Sequence, residues 1–312
     1  MLVALAFVAL GLVLLVYASE RFVEGAAGIA FRLNLPAVIV GAVIVGFGTS
    51  LPELLVSGIA AAGDNLDIAI GNVTGSNIAN MTLALGLVAI LAAPTITSRA
   101  LSREVPLAIA AMALLAVLVG RLTRLDGIIL VVGFVVAMAI VFLSDRGLGD
   151  DELGAEADEE LHEKAKLSPA ILGLLTLGGL VGTVAGAQLL VSGALRAADE
   201  LGLGEGLVGF TLVAIGTSLP EIVTCIQAAR KNEAELAVGN VLGSNLFNSL
   251  AIAGTAALVG PGDVSNGLFW ASWVAVGTGA LMWGMMSRGK VLHRWEGGVL
   301  VAIYFASIPL VT

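Results

Sequence analysis

Apolar runs of about 20 residues recur along the whole chain, and that recurrence constrains the fold more than any other feature. A helix needs roughly that many apolar residues to cross a bilayer, where every backbone polar group must be satisfied within the segment. Hydropathy and the positions of helix breakers predict ten spans, at about 2–30, 36–61, 66–92, 104–120, 126–144, 169–198, 206–229, 234–259, 267–286 and 295–311. Composition agrees. The 312 residues are 58% hydrophobic and 12% charged, with mean hydropathy +1.01, and a soluble domain carries about twice that charge fraction. The chain reads as an all-α polytopic membrane protein. Residues 1–17 lack a basic leading region and the apolar pattern continues past them, so they read as the first span. The single cysteine, Cys225, excludes an intrachain disulfide and a cysteine metal cluster.

Against that background two hexapeptides stand out, Gly48-Thr49-Ser50-Leu51-Pro52-Glu53 and Gly216-Thr217-Ser218-Leu219-Pro220-Glu221. Each places a proline and a carboxylate inside an apolar span. Proline removes a helix hydrogen bond, and an ionisable group at bilayer depth costs roughly 2.5–3.5 kcal/mol on insertion scales. No basic residue lies within either span to pair with the carboxylate. Freed backbone carbonyls and two unpaired glutamates point to cation ligation. A break before each glutamate should expose carbonyls around residues 46–49 and 214–217.

A shift of 168 residues lays one half of the chain on the other. The hexapeptides match at all six positions, and Ala69–Asn80 matches Ala237–Asn248 at eight of twelve. Each half has five predicted spans, an odd number, so the second half enters the membrane inverted relative to the first. The expected organisation is a five-helix repeat over residues 1–144, an acidic linker over 145–168, and a second, inverted repeat over 169–312. Asn72, Ser76 and Asn80 form a stripe at four-residue spacing, as do Asn240, Ser244 and Asn248, and both stripes should meet the glutamates at the repeat interface.

The donors are hard oxygens. Two bidentate glutamates and the carbonyls of Thr49 and Thr217 supply six, and Ca2+ takes six to eight. The two formal negative charges equally match two Na+ or two protons. Ser50, Ser218, Ser76, Ser244, Asn80 and Asn248 offer neutral oxygens suited to Na+, and no thiol or histidine pair favours a soft metal. Small polar residues also join membrane helices, so Ser50, Ser218, Asn72, Asn240, Asn77 and Asn245 fit either role. His162 and His293 lie in loops, and no nucleophile–base pair points to an enzyme. A channel would draw its filter from symmetric subunits around an axis, whereas two inverted halves suit access from either side.

Basic residues set the expected orientation. Arg21, Arg32, Arg99, Arg103, Arg146, Lys164, Lys166, Arg230, Lys231, Arg288, Lys290 and Arg294 collect on one side, against Arg121, Arg124 and Arg196 on the other. The richer side should be cytoplasmic, with both termini outside the cell and the acidic linker inside. Trp270, Trp273, Trp283 and Trp295 fall near span ends, as interfacial anchors do. The partners this implies are the lipid bilayer and small inorganic cations. Neither a nucleic-acid surface nor an obligate protein partner is evident, and no cofactor is implied.

With these residues in view, the chain resembles the sodium/calcium exchanger family of the cation/calcium exchanger superfamily, in a prokaryotic form without a large regulatory insertion. The likeness spans nearly the whole chain and rests on the two GTSLPE hexapeptides, each followed 27 residues after its glutamate by the last asparagine of a GN-x2-GSN segment. The resemblance implies Glu53 and Glu221 as central ligands, joined by Thr49 and Thr217 for Ca2+. It implies Ser50, Ser76, Asn80, Ser218, Ser244 and Asn248 around the Na+ and middle sites, with backbone at Gly46 and Ala214. It further implies antiport of Na+ against Ca2+ across the cell membrane by alternating access, with the first and sixth helices sliding across the rest. Many members carry an aspartate where this chain has Asn248, so the site keeps two formal charges where those relatives have three, which bears on the coupling ratio. Proton-coupled relatives make H+/Ca2+ exchange the second candidate.

Overall fold

The computed structural model describes residues 1–33, 48–94, 100–145, 167–230 and 234–311. In chain order these form α1 (Leu2–Arg32), α2 (Leu51–Ala62), α3 (Leu66–Ala92), α4 (Val105–Leu118), α5 (Arg124–Asp145) and α6 (Pro169–Leu201). There follow α7 (Glu205–Thr217), α8 (Leu219–Arg230), α9 (residues 234–259), α10 (Asn266–Ser287) and α11 (Arg294–Ser307). Strand structure among the described residues is one short antiparallel pairing, Arg121 with Asp263 and Leu122 with Gly262, which ties the end of α4 to the start of α10.

Seven helices among the described residues are long and apolar enough to cross a membrane, and α7 and α8, bent by 45° at Ser218, make an eighth if taken together. The protein is therefore an all-helical, multi-pass membrane protein. Ten spans were expected, and the two remaining ones fall short for identifiable reasons. The span at 36–61 has its first part outside the described residues, leaving the 12-residue α2. In the span at 104–120 the regular helix is only the 14 residues of α4, because a π-helical turn, Ala100–Glu104, leads into it. The acidic residues 146–166 also lie outside the described residues.

The prolines start helices and do not interrupt them. Pro52 and Pro220 stand in the first turns of α2 and α8, where a missing N–H has no intrahelical partner to lose. Glu53 and Glu221 follow in the same turns, within the positive end of each helix dipole. The break expected before Glu221 is thus the α7–α8 bend.

Burial separates the helices into two sets. In the membrane-crossing windows of α3 and α9, 72% and 83% of residues are buried, against 33%, 17% and 28% in α1, α5 and α6. The polar α3 and α9 therefore form the interior, while outer helices turn residues such as Val13, Val135 and Leu177 to lipid. All four tryptophans are partly exposed, Trp270 and Trp295 most so. π-helical turns interrupt both inner helices at corresponding places, Asn80–Ala84 and Asn248–Ile252, 168 residues apart. Helices α2 and α8 keep the same offset at both ends.

Helices α1 and α6 pack along a glycine seam. A Cβ added at Gly11 would lie 2.6 Å from the Leu190 backbone nitrogen, and one at Gly25 would lie 2.6 Å from that of Thr176. From the other side, one at Gly186 would lie 2.6 Å from the Leu15 nitrogen and one at Gly193 2.8 Å from that of Val8. Numbers rise along α1 as they fall along α6, so the two run antiparallel. Close approach of this kind depends on small residues, because lipid supplies no hydrophobic drive between helices. The seam is closed at its ends by Arg32 Nη2, which donates to the Leu167 carbonyl at 2.7 Å, and by an ion pair between the Met1 amino group and Glu200.

Candidate cation-binding site

Helices α2 and α8 start side by side in the interior and exchange hydrogen bonds reciprocally. Ser50 Oγ donates to Glu221 Oε1 at 3.1 Å, and Ser218 Oγ donates to Glu53 Oε1 at 3.3 Å. Thr49 likewise hydrogen-bonds the Glu221 carboxylate, and Thr217 that of Glu53. Each hexapeptide thus serves the other's glutamate, which ties the two carboxylates into one cluster. Both glutamates are 1% exposed, and neither makes a salt bridge among the described residues.

Helices α3 and α9 close the cluster. Ser244 Oγ lies 3.3 Å from Ser50 Oγ. Asn72 donates to Ser57 Oγ at 3.0 Å and to the Glu53 carbonyl at 3.4 Å, and its Oδ1 accepts from Thr217 Oγ1 at 3.0 Å. It therefore joins α2, α3 and α7. Asn80 and Asn248 each occupy the first position of a π-helical turn, a device that re-aims side chains and is common at functional sites. Glycines let the inner helices meet. A Cβ at Gly71 would stand 2.8 Å from the Gly206 carbonyl, and one at Gly75 2.7 Å from Ala214 Cβ, which brings α3 against α7.

Of the expected site residues, Glu53, Glu221, Ser50, Ser218, Thr217, Ser76, Ser244, Asn80 and Asn248 are buried and carried on α3, α9 and the starts of α2 and α8, and Thr49 is half-buried beside them. Ala214 is buried, and its carbonyl accepts from the Ser218 N–H at 3.0 Å and from Thr217 Oγ1 at 3.4 Å. Gly46 lies outside the described residues. Ser57 and Ser249 were not foreseen. Ser57 holds Asn72 and the Ala69 carbonyl, and Ser249 receives Asn77 Nδ2 at 2.8 Å. The signal for Ser57 is its position one turn after Glu53 on an otherwise apolar helix.

Five oxygens of these residues are buried without a hydrogen-bond partner among the described residues: Glu53 Oε2, Glu221 Oε2, Ser76 Oγ, Asn80 Oδ1 and Asn248 Oδ1. A buried acceptor left unsatisfied costs about 1–3 kcal/mol, more if charged, so a cation in contact with several at once recovers a large penalty. No group of three or more His, Cys, Asp and Glu side chains is assembled among the described residues, so two carboxylates and neutral oxygens are what the protein offers. An open cavity of about 740 Å³ approaches from the later turns of α1, past Tyr17, Glu20 and Glu24, to Thr49 and Pro220. At its mouth Arg21 Nη1 donates to Glu24 Oε2 at 2.5 Å. Leu12 of α1 lies directly over Gly216, so α1 covers part of the second hexapeptide.

Opposed buried carboxylates with uncommitted neutral oxygens, inside membrane-spanning helices and beside an open cavity, define a transporter of small cations and not an enzyme. The family model described as "Sodium/calcium exchanger protein" matches residues 3–143 and 163–312, on either side of the acidic segment. The chain belongs to the sodium/calcium exchanger family. It is 37% identical to the inner membrane protein YrbG of Escherichia coli over 85% of this chain and 82% of that one. To the sodium/calcium exchanger MaX1 of Methanosarcina acetivorans it is 30% identical over 95% of both. Among solved structures, the sodium-calcium exchanger NCX_Mj soaked with 10 mM Na+ and zero Ca2+ superposes with a TM-score of 0.65 at 31% identity, covering 99% of this chain and 98% of that one.

Proposed function

We propose that the protein exchanges Na+ for Ca2+ across the cell membrane by alternating access, with Glu53 and Glu221 as the shared centre. The observation that carries this reading is the set of five buried oxygens without donors, all on residues the sequence singles out. Ca2+ would take the two carboxylates with Thr49 and Thr217. Na+ would use Ser50, Ser76 and Asn80 on one side and Ser218, Ser244 and Asn248 on the other, with backbone at Gly46 and Ala214. The two formal charges balance one Ca2+ or two Na+, so either load leaves the dry centre neutral.

The architecture behind this mechanism is ten spans in two inverted five-helix repeats, 1–144 and 169–312, joined by the acidic linker. The shared 168-residue offset of α2 with α8 and of the two π-helical turns supports it, as does the antiparallel course of α1 and α6. In a duplicated and inverted chain, counterpart helices run oppositely and meet across a pseudo-twofold axis. Alternating access then follows if the α1–α6 pair slides as a unit over the hexapeptides, since α1 already presses on Gly216 and borders the cavity reaching Thr49. Both termini would lie outside the cell and the linker in the cytoplasm, as the basic residues direct.

The test is Ca2+ uptake into proteoliposomes under opposed gradients of Na+, K+ or H+. A Na+ gradient should drive concentrative uptake, and K+ and H+ gradients should not. Uptake driven by H+ alone would replace Na+/Ca2+ with H+/Ca2+ antiport at the same glutamate pair.

A further inference from the structure

We infer that Asn245 is a positioning residue that fixes which end of the Asn80 amide faces the cation. The inference rests on the antiporter reading, because Asn80 is a ligand there, but it concerns a residue given no part in binding. The oxygen and nitrogen of an amide are distinguished by the partners each end can have. Asn245 Nδ2 donates to the Asn77 backbone carbonyl at 3.0 Å, and a carbonyl can only accept. Its Oδ1 must therefore point the other way, toward Asn80. An oxygen there demands a donor, and Asn80 Nδ2 supplies it at 3.0 Å. That leaves Asn80 Oδ1, buried and without a protein donor, to face the ligand. The chain of constraint begins at a backbone group that cannot reverse, so both amides are held in one orientation. All three asparagines are at most 1% exposed, so no water-facing alternative competes.

The lock is one-sided, and the sequence explains why. Under the 168-residue offset the counterpart of Asn245 is Asn77, and that of Asn80 is Asn248. The matching bond would run from Asn248 Nδ2 to Asn77 Oδ1, yet Asn77 Oδ1 has no partner. Asn77 instead turns its Nδ2 to Ser249 Oγ at 2.8 Å. The counterpart of Ser249 is Met81, which offers Asn245 no hydroxyl, so its Nδ2 goes to the Asn77 carbonyl, with Met112 Sδ 3.9 Å away. Asn80 is thus a pre-set ligand, and Asn248 is not set by this route.

Without the lock Asn80 can present Nδ2, a donor, to the cation and lose a ligand. Equilibrium ⁴⁵Ca2+ binding to the full-length protein in detergent tests this with four proteins: wild type, Asn245→Ala, Asn80→Asp and the double variant. Asn245→Ala should weaken binding about tenfold or more, a loss the size of one unmade buried polar contact. With aspartate at position 80 both ends are oxygen and orientation no longer matters, so Asn245→Ala should then cost less than about threefold. If Asn245→Ala is not monodisperse, Asn245→Ser is read in the same way, since serine is too short to span from Asn77 to Asn80. Equal losses in both backgrounds, or no loss in either, would overturn the lock while leaving the ion assignment intact. Wild type binding neither Ca2+ nor Na+ would overturn the antiporter reading, and the lock with it.

Discussion

Glu53→Gln is expected to bring Na+-driven Ca2+ uptake down to that of protein-free liposomes, a loss of at least about 100-fold, and Glu221→Gln should do the same. Glutamine keeps the shape of the side chain and an acceptor for Ser218 or Ser50, so the reciprocal bonds between the hexapeptides can persist. What disappears is one of two negative charges. A dication facing one carboxylate in a dry interior is an uncompensated buried charge, and removing one member of a buried pair costs about 3–5 kcal/mol. That is more than the ~2.8 kcal/mol of a 100-fold change. No neighbouring group can substitute, since no other acidic side chain joins the pair among the described residues. The measurement is initial uptake at saturating external Ca2+, with monodisperse elution as the check on folding. Either variant transporting at the wild-type rate would remove that glutamate from the centre.

The second large effect concerns two adjacent glycines with opposite outcomes. Gly179→Val should abolish transport and yield unstable protein, while Gly178→Val should retain at least about half the wild-type activity. A Cβ at Gly179 would collide with the Phe22 backbone nitrogen, and its nearest atoms all belong to the α1 backbone. Backbone cannot step aside as a flexible side chain can, so α1 and α6 must separate along the seam. Overpacking costs typically 1–3 kcal/mol even where side chains can adjust. Gly178 has nothing within 4 Å of an added Cβ and is exposed on the outer face of α6, where valine meets lipid. Thermal stability in detergent and uptake in liposomes report the contrast together. Equal tolerance at both positions would mean that the seam does not hold the pair.

How much of this was legible from the residues follows from which forces leave a trace in sequence. Glu53 and Glu221 were plain because a carboxylate in an apolar run, with no basic residue beside it, is too costly to keep without a ligand, and the structure finds both buried and exchanging bonds. The break before Glu221 was legible from Pro220, because proline acts locally. The π-helical turns at Asn80 and Asn248 were not. A single widened turn adds one residue without changing the apolar pattern around it, so no periodicity reveals it. The alternative roles of Asn72, Asn77 and Asn245 also stayed open, since a ligand and a helix connector use the same side chain. Only the placement of Ser57, Ser249 and the Asn77 carbonyl separates them. Span counting by hydropathy reached ten, but it could not register that the regular part of α4 begins only at Val105.

The most direct measurement is the anomalous difference density of Sr2+, a heavier stand-in for Ca2+, in crystals of the wild-type protein soaked without Na+. The account predicts one dominant peak between the Glu53 and Glu221 carboxylates, within reach of Thr49 and Thr217, and its loss on adding Na+. A peak near Glu20 and Glu24 at the cavity mouth, with none between the paired glutamates, would contradict it.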